Sequence, residues 1–190
     1  MSGALVLTPN PGPRRCVKFS GRAQGKNEWL TPPDLIRSLG PFDLDPCAPV
    51  DRPWDTARNH LTVHENGLSR TWAGRVWLNP PFGQGIPEWM RRMSAHGNGI
   101  ALVLARSETA WFQDFVFDSP TMCAVLFLRG RLTFHHADGT PARGNCGGAP
   151  VLVAYGAKNA AALSDSGLKG FFIASRPSMS ALDRLKEAKG

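Results

Sequence analysis

The stretch RVWLNPPFG, residues 75–83, joins a short apolar run to an abrupt turn. Residues 75–78 have the composition of a brief buried strand. Asn79 follows at once, and two prolines with a Phe-Gly pair prevent the strand from continuing. A polar residue at the carboxyl end of a buried strand is typical of a ligand site in an α/β sheet. The stretch therefore predicts both a sheet and a functional loop.

Short apolar strands alternate with helical segments along the rest of the chain. Strands are predicted at 42–45, 61–64, 75–78, 99–105, 123–128, 151–155 and 170–174, with 131–134 also extended. Helices are predicted at 68–72, 86–94, 109–117 and 160–164, and after Thr31, which is expected to cap the first of them. The alternation predicts an α/β fold with a mixed, mostly parallel sheet. DPCA, residues 45–48, follows the first strand and is expected at the same sheet edge as Asn79.

Length and charge predict one domain with a polyanionic partner. A chain of 190 residues suits a single domain. We expect a flexible basic arm at 1–26, the folded domain at 27–174 and a polar tail at 175–190. The net charge of +7 favours nucleic acid, although a basic protein that is merely soluble has the same charge.

Cysteine usage and hydropathy predict a cytoplasmic protein. The four cysteines are widely spaced, with no CxxC pair and no secretory signal before them, which disfavours a disulfide framework. The longest apolar runs are far shorter than a membrane span. We therefore expect no membrane partner, and we favour a monomer.

The tetrapeptide NPPF, residues 79–82, carries groups suited to methylating an aromatic amine. The exocyclic nitrogen of adenine is a poor nucleophile because its lone pair is delocalised into the ring. The Asn79 side-chain oxygen and the Pro80 carbonyl would accept its two N–H groups and turn the lone pair out of the ring plane. Pro81 has no N–H to compete, and Phe82 offers a flat face for a base flipped out of the duplex. A plain turn is the alternative interpretation, which the preceding strand disfavours.

Taken in order, several motifs resemble the phage-type, Dam-like N6-adenine DNA methyltransferases of bacteriophages and prophages. The resemblance covers roughly residues 27–173. It rests on EWLTP (28–32), FDLDPCA (42–48), GL (67–68) with Trp72, VWLNPPFG (76–83), LARSETAWF (104–112) and LRGRLTF (128–134). It implies a single-domain Rossmann-like methyltransferase fold, trimmed relative to larger members, with S-adenosylmethionine as cofactor and adenine in DNA as substrate. It also implies a bacterial host cell and a role in restriction evasion or regulation.

The resemblance implies roles for individual residues. The residues that match the catalytic motif of amino-methyltransferases are Asn79, Pro80, Pro81 and Phe82. Those implied to bind the cofactor are Trp29, Thr31, Pro32, Asp45, Pro46, Cys47 and Ala48. The chain departs from larger methyltransferases in having no Gly-x-Gly after Asp45, and it has Phe82 where Tyr is common.

Arginines at strand ends and in the following loop are the candidates for DNA binding. They are Arg106, Arg129, Arg131 and Arg143, with Arg91 and Arg92 as possible additions to the same phosphate-contacting surface. A solvated rim is the alternative for each of them. Segment 129–148 is the best candidate for reading DNA sequence, because the chain has no separate recognition domain.

Other activities suit the residues less well. Cytosine C5 methylation needs a cysteine directly after a proline in the active loop, and cytosine N4 methylation is disfavoured by the family resemblance. A metal site at His60, His64 and Cys47 is disfavoured because paired cysteines are missing. Methylation of RNA or of a protein glutamine amide stays open, as does a catalytically silent DNA-binding relic.

Overall fold

A computed structural model describes residues 29–83 and 85–175, and their strands form one seven-stranded sheet. The strands are β1 (Leu44–Asp45), β2 (Asn59–His60), β3 (Val76–Leu78), β4 (Gly99–Leu104), β5 (Met122–Leu128), β6 (Pro150–Tyr155) and β7 (Gly170–Ala174). The helices are α1 (Pro33–Leu39), α2 (Ile86–His96), α3 (Ala110–Phe112) and α4 (Ala157–Asp165), and a π-helical turn, Gln113–Phe117, continues α3. The expected basic arm and the tail after Ser175 lie outside the described residues.

The predicted mixed α/β sheet is confirmed, with the strand order β2-β1-β3-β4-β6-β5-β7. It is not mostly parallel, because three of its six strand pairings are antiparallel. Strands β1 to β4 pair in parallel, whereas β6 runs antiparallel to both of its neighbours, β4 and β5. β7 is antiparallel to β5. Strands β1 to β5 therefore point the same way, and the carboxyl ends of β1, β3, β4 and β5 lie at one edge of the sheet.

Helices cover both faces of the sheet. α2 and the α3–π segment pack on one face through Met90, Met93 and Phe112, and α1 and α4 pack on the other through Ile36 and Leu163. Strand β3 is buried on both faces, because Val76 and Leu78 belong to one core cluster and Trp77 to the other. A strand buried on both faces has no polar position, so it reads as a continuous apolar run.

Two predicted elements between β1 and β3 are wrong. The expected strand at 61–64 is a turn, because the Glu65 carboxylate accepts hydrogen bonds from both the backbone N–H and the hydroxyl of Thr62. The short strand of this region is β2, which ends at His60. The expected helix at 68–72 is irregular, and the guanidinium of Arg92 donates to the carbonyls of Leu68 and Arg70 that a helix would use internally.

Two further expectations, at the start of α1 and in the connection after β5, are corrected. Thr31 does not cap α1, whose N-cap is Pro32 and has no side-chain cap. Thr31 is instead buried. Residues 131–134 form no regular strand; Leu132 and Phe134 accept backbone hydrogen bonds from Cys146 and Ala142, so 132–146 folds back on itself as an irregular hairpin.

None of the helices in the described ranges is both long enough and apolar enough to span a membrane.

Candidate active site

The candidate site lies where the strand order reverses direction. The chain runs from β1 outward to β2 and then returns to β3 on the other side of β1. The crevice beyond the carboxyl ends of β1 and β3 is where ligands bind in open α/β sheets. It is flanked by the loop after β1, which begins at Pro46, and by the loop after β3, which begins at Asn79. A hydrogen bond from the Cys47 thiol to the Asn79 carbonyl, 3.2 Å between Sγ and O, joins the two loops.

Asp45 organises the loop after β1. Its carboxylate is 2% exposed, and its two oxygens accept hydrogen bonds from the backbone N–H of Cys47, at 3.1 Å, and from the Thr56 hydroxyl. Burial raises the pKa of Asp45 to about 6, against the lowering effect of these bonds. With both oxygens engaged in bonds to this part of the chain, Asp45 shapes the loop. No sequence pattern points to Thr56 as this partner, since it lies eleven residues beyond Asp45.

Asn79 has a side-chain acceptor without a partner among the described residues. Its side-chain Nδ2 donates to the carbonyl of Trp29 at 3.0 Å, and because a carbonyl only accepts, the amide must turn its Oδ1 the other way. That Oδ1 is buried and has no hydrogen-bond partner among the described residues. A buried acceptor that makes no hydrogen bond costs about 1–3 kcal/mol, so such atoms are rare unless a ligand binds them.

The rest of the tetrapeptide is shaped around Asn79. Pro80 is buried, and its carbonyl accepts no hydrogen bond from any residue of the described ranges. Pro81 is exposed and contributes no N–H. Phe82 is half-buried and packs edge-to-face on Phe134, with 5.7 Å between the ring centroids. The loop therefore carries two acceptors without a partner in the described ranges, and beside them an aromatic ring that packs on Phe134.

The segment from Trp29 to Pro32 forms a second side of the site. Leu30 and His135 exchange both backbone hydrogen bonds at 2.9 Å, which ties this segment to the β5–β6 connection. The Trp54 indole donates to the Thr31 carbonyl at 3.1 Å, and its ring meets His135 edge-on at 5.3 Å. The Thr31 hydroxyl and the His135 Nδ1 are buried and unpartnered within the described part of the chain. Both atoms are available to a ligand.

The β5–β6 connection reaches across the sheet edge from β5 to the loop after β1. His136 lies against the Trp29 ring at 5.2 Å, and a Cβ on Gly139 would come within 2.8 Å of Pro53. The sequence analysis did not identify this contact with the segment from Trp29 to Pro32. The signal that was present is the aromatic character of FHH at 134–136.

An open cleft of about 460 Å³ lies between the loop after β1 and the β5–β6 connection. Its lining includes three aspartates, Asp51, Asp55 and Asp138, together with Arg52. Its charge disfavours a phosphate, so the cleft is unsuited to the DNA backbone.

The four candidate DNA-binding arginines are all exposed. Arg106 follows β4 and Arg129 follows β5, so both lie at the sheet edge that carries Asn79. Arg143 belongs to the irregular hairpin of the β5–β6 connection, and Arg131 directly precedes it. Only Arg106 of the four has an ion pair in the described structure, with Glu108 at 2.8 Å.

Arg91 and Arg92 differ from these four. Arg91 is exposed and pairs with Glu88, whereas Arg92 is half-buried. Arg92 lies over the Trp72 ring, with its guanidinium carbon 5.0 Å from the ring centroid, and it donates to backbone carbonyls. Arg92 thus stabilises the irregular segment before β3, and its guanidinium is engaged there.

The described residues hold no group of three or more His, Cys, Asp or Glu side chains arranged for a metal ion. His60, one of the residues weighed as a ligand, has another use. Its Nε2 accepts the backbone N–H groups of Thr56 and Ala57, each at 3.3 Å, and burial lowers its pKa. A neutral imidazole is the form that accepts these bonds.

Comparison with known proteins gives a match to one protein family. A family model described as DNA N-6-adenine-methyltransferase (Dam) matches residues 20–164, which include both loops of the crevice and the β5–β6 connection. No curated protein and no solved structure gives a significant match.

Proposed function

The chain belongs to the DNA N-6-adenine-methyltransferase (Dam) family, and on that basis we propose that it transfers a methyl group from S-adenosylmethionine to the N6 atom of adenine in DNA. The Rossmann-like character of the domain is part of this proposal. It is supported by the crevice at the reversal of strand order, where methyl donor and base would meet.

The observation that carries the proposal is the buried, unpartnered Oδ1 of Asn79. In the proposed complex it accepts one N–H of the adenine amine, and the Pro80 carbonyl accepts the other. Both acceptors act on the lone pair of N6, which they turn out of the ring plane and towards the methyl group. Since neutral acceptors suffice, no ionised general base is needed. Both are fixed before the substrate arrives, as electrostatic catalysis requires.

We propose that the crevice holds S-adenosylmethionine, which would supply an electrophilic methyl group when bound. The Thr31 hydroxyl is 1% exposed at the residue level and has no partner among the described residues, so it offers a hydrogen bond to a polar ligand. We propose that Trp29, Thr31 and Pro32 contact the cofactor from one side and the loop of Pro46, Cys47 and Ala48 from the other. Asp45 contributes by holding that loop through the Cys47 N–H.

DNA is the proposed partner because of the positive charge of the exposed arginines and their position near Asn79 and Trp29. Arg106 and Arg129 lie on the edge that carries Asn79, and Arg131 and Arg143 extend from the connection that packs on Trp29. Such a surface contacts phosphates, while Phe82, supported by Phe134, offers a stacking face to the flipped adenine.

The test is removal of the Asn79 acceptor. Asn79→Ala is expected to lower kcat for methyl transfer by about 10²–10³-fold, the usual loss for one preorganised group of this kind. Affinity for S-adenosylhomocysteine, measured by calorimetry, is expected to stay within about twofold, because the side-chain oxygen faces the base. Asn59→Ala is the matched control, since the Asn59 amide also donates to a backbone carbonyl, that of Asp43. Turnover retained by Asn79→Ala would remove Asn79 from the catalytic role.

A further inference from the structure

Cys47 makes one hydrogen bond within the loop after β1 and one to the loop after β3. Its backbone N–H donates to the Asp45 carboxylate at 3.1 Å, and its thiol donates to the Asn79 carbonyl at 3.2 Å. The thiol is the donor because a carbonyl only accepts. Burial, followed by the nearby charge of Asp45, raises the pKa of the Cys47 thiol, so the S–H keeps its proton at neutral pH.

The bonded carbonyl belongs to the first peptide of the catalytic tetrapeptide. The peptide between Asn79 and Pro80 is planar, so a hydrogen bond to its oxygen fixes the orientation of the whole unit. That unit ends at the Cα atoms of Asn79 and Pro80, to which the Asn79 side chain and the Pro80 carbonyl group are attached. The Asn79 side chain is held separately by the Trp29 carbonyl. Two hydrogen bonds from different segments therefore fix Asn79 and leave its Oδ1 free.

We propose that Cys47 is a positioning residue, whose thiol orients the Asn79–Pro80 peptide and so aims the two acceptors that act on adenine. The proposal rests on the proposed function, in which Asn79 and Pro80 are the acting groups. It assigns the Cys47 side chain to the catalytic loop, while the backbone of Cys47 remains part of the cofactor-binding loop.

The kinetic test compares Cys47→Ala with Cys47→Ser. Loss of one hydrogen bond of about 1 kcal/mol corresponds to a roughly fivefold lower kcat for Cys47→Ala. Cys47→Ser keeps a donor at the same position and is expected to stay within about twofold of the unmodified protein. The affinity for S-adenosylhomocysteine is expected to be unchanged in both. Cys123→Ala is the matched control, because Cys123 is a half-buried cysteine on β5, and its thiol contacts the Thr121 carbonyl outside the crevice.

A spectroscopic test examines the contact without requiring turnover. The infrared difference spectrum between the unmodified protein and Cys47→Ala isolates the S–H stretch of Cys47, and Cys123→Ala isolates that of Cys123. The Cys47 band is expected at the lower frequency, because its Sγ···O distance is 3.2 Å against 3.5 Å for Cys123.

The two tests separate failure of this inference from failure of the proposed function. A Cys47→Ala variant as fast as the unmodified protein, or a Cys47→Ser variant as slow as Cys47→Ala, overturns the positioning role. A Cys47 band at or above the frequency of Cys123 overturns the contact itself. If the unmodified protein transfers no methyl to DNA, the proposed function fails, and the S–H bands still decide whether the thiol holds the Asn79 carbonyl.

Discussion

Replacing Asp45 by asparagine is expected to stabilise the protein at neutral pH. Asp45 is 2% exposed, and burial raises its pKa to about 6 from an ordinary value of 3.8. The folded state therefore binds a proton more tightly than the unfolded state, and its stability falls as the pH rises from about 4 to about 6. Above pH 6 the folded protein bears the full cost of a buried carboxylate. An asparagine amide removes that cost and can still accept the Cys47 N–H.

The size of the gain follows from the two pKa values. The rise in the pKa of Asp45 from 3.8 to about 6 corresponds to about 3 kcal/mol at pH 7.5, and the same linkage gives roughly half of that at pH 5. The gain of Asp45→Asn should therefore shrink by roughly half between these two pH values. The Thr56 hydroxyl limits the loss of hydrogen bonding, because it can rotate and accept a bond from the new amide.

Urea unfolding at pH 5 and pH 7.5, followed by tryptophan fluorescence, measures this effect. Asp114→Asn is the matched control, because Asp114 is an exposed carboxylate in the π-helical turn. It is expected to change the free energy of unfolding by less than about 0.5 kcal/mol. A destabilised Asp45→Asn protein at pH 7.5, or a gain of equal size at both pH values, would refute the reasoning.

Two further changes test the DNA surface and the cofactor-binding loop. Changing Arg129 and Arg131 together to Ala is expected to reduce the slope of the logarithm of the DNA-binding constant against the logarithm of salt concentration by about 1.8, at about 0.9 for each phosphate contact. Binding titrations over a range of NaCl concentrations measure this slope. An unchanged slope would mean that the phosphate contacts lie elsewhere. Gly67→Ala is expected to weaken binding of S-adenosylhomocysteine in calorimetry and to lower stability by about 1–3 kcal/mol, because the new Cβ would come within 1.8 Å of the Pro46 carbonyl oxygen. Unchanged affinity in Gly67→Ala would show that the Pro46 loop does not hold the cofactor.

The sequence predicts the sheet well where strands are buried on both faces. The apolar runs at β3, β4, β5 and β6 are decided by local composition, and the positions of those strands agree with the structure within one or two residues. The segment at 61–72 was mispredicted because its conformation is set by contacts from elsewhere. There the Glu65 carboxylate takes the Thr62 N–H, and Arg92 takes carbonyls of the would-be helix.

The candidate site divides in the same way. Asn79 and its prolines are visible from the sequence because the chemistry needs these residue types in a row. The partners that hold them are not visible, because the Trp29 carbonyl is a backbone group fifty residues away and could not be inferred from residue type. The His135–Leu30 pairing is likewise a long-range backbone contact. The free Oδ1 of Asn79 is a property of the folded protein alone.

The most direct test of the account is the identity of the methylated product. The protein is incubated with labelled S-adenosylmethionine and unmethylated duplex DNA, and the nucleosides of the digested DNA are then separated. The account predicts label in N6-methyladenine, absent when Asn79→Ala replaces the unmodified protein. Label in a methylated cytosine, or no label in DNA despite measurable cofactor binding, would contradict it.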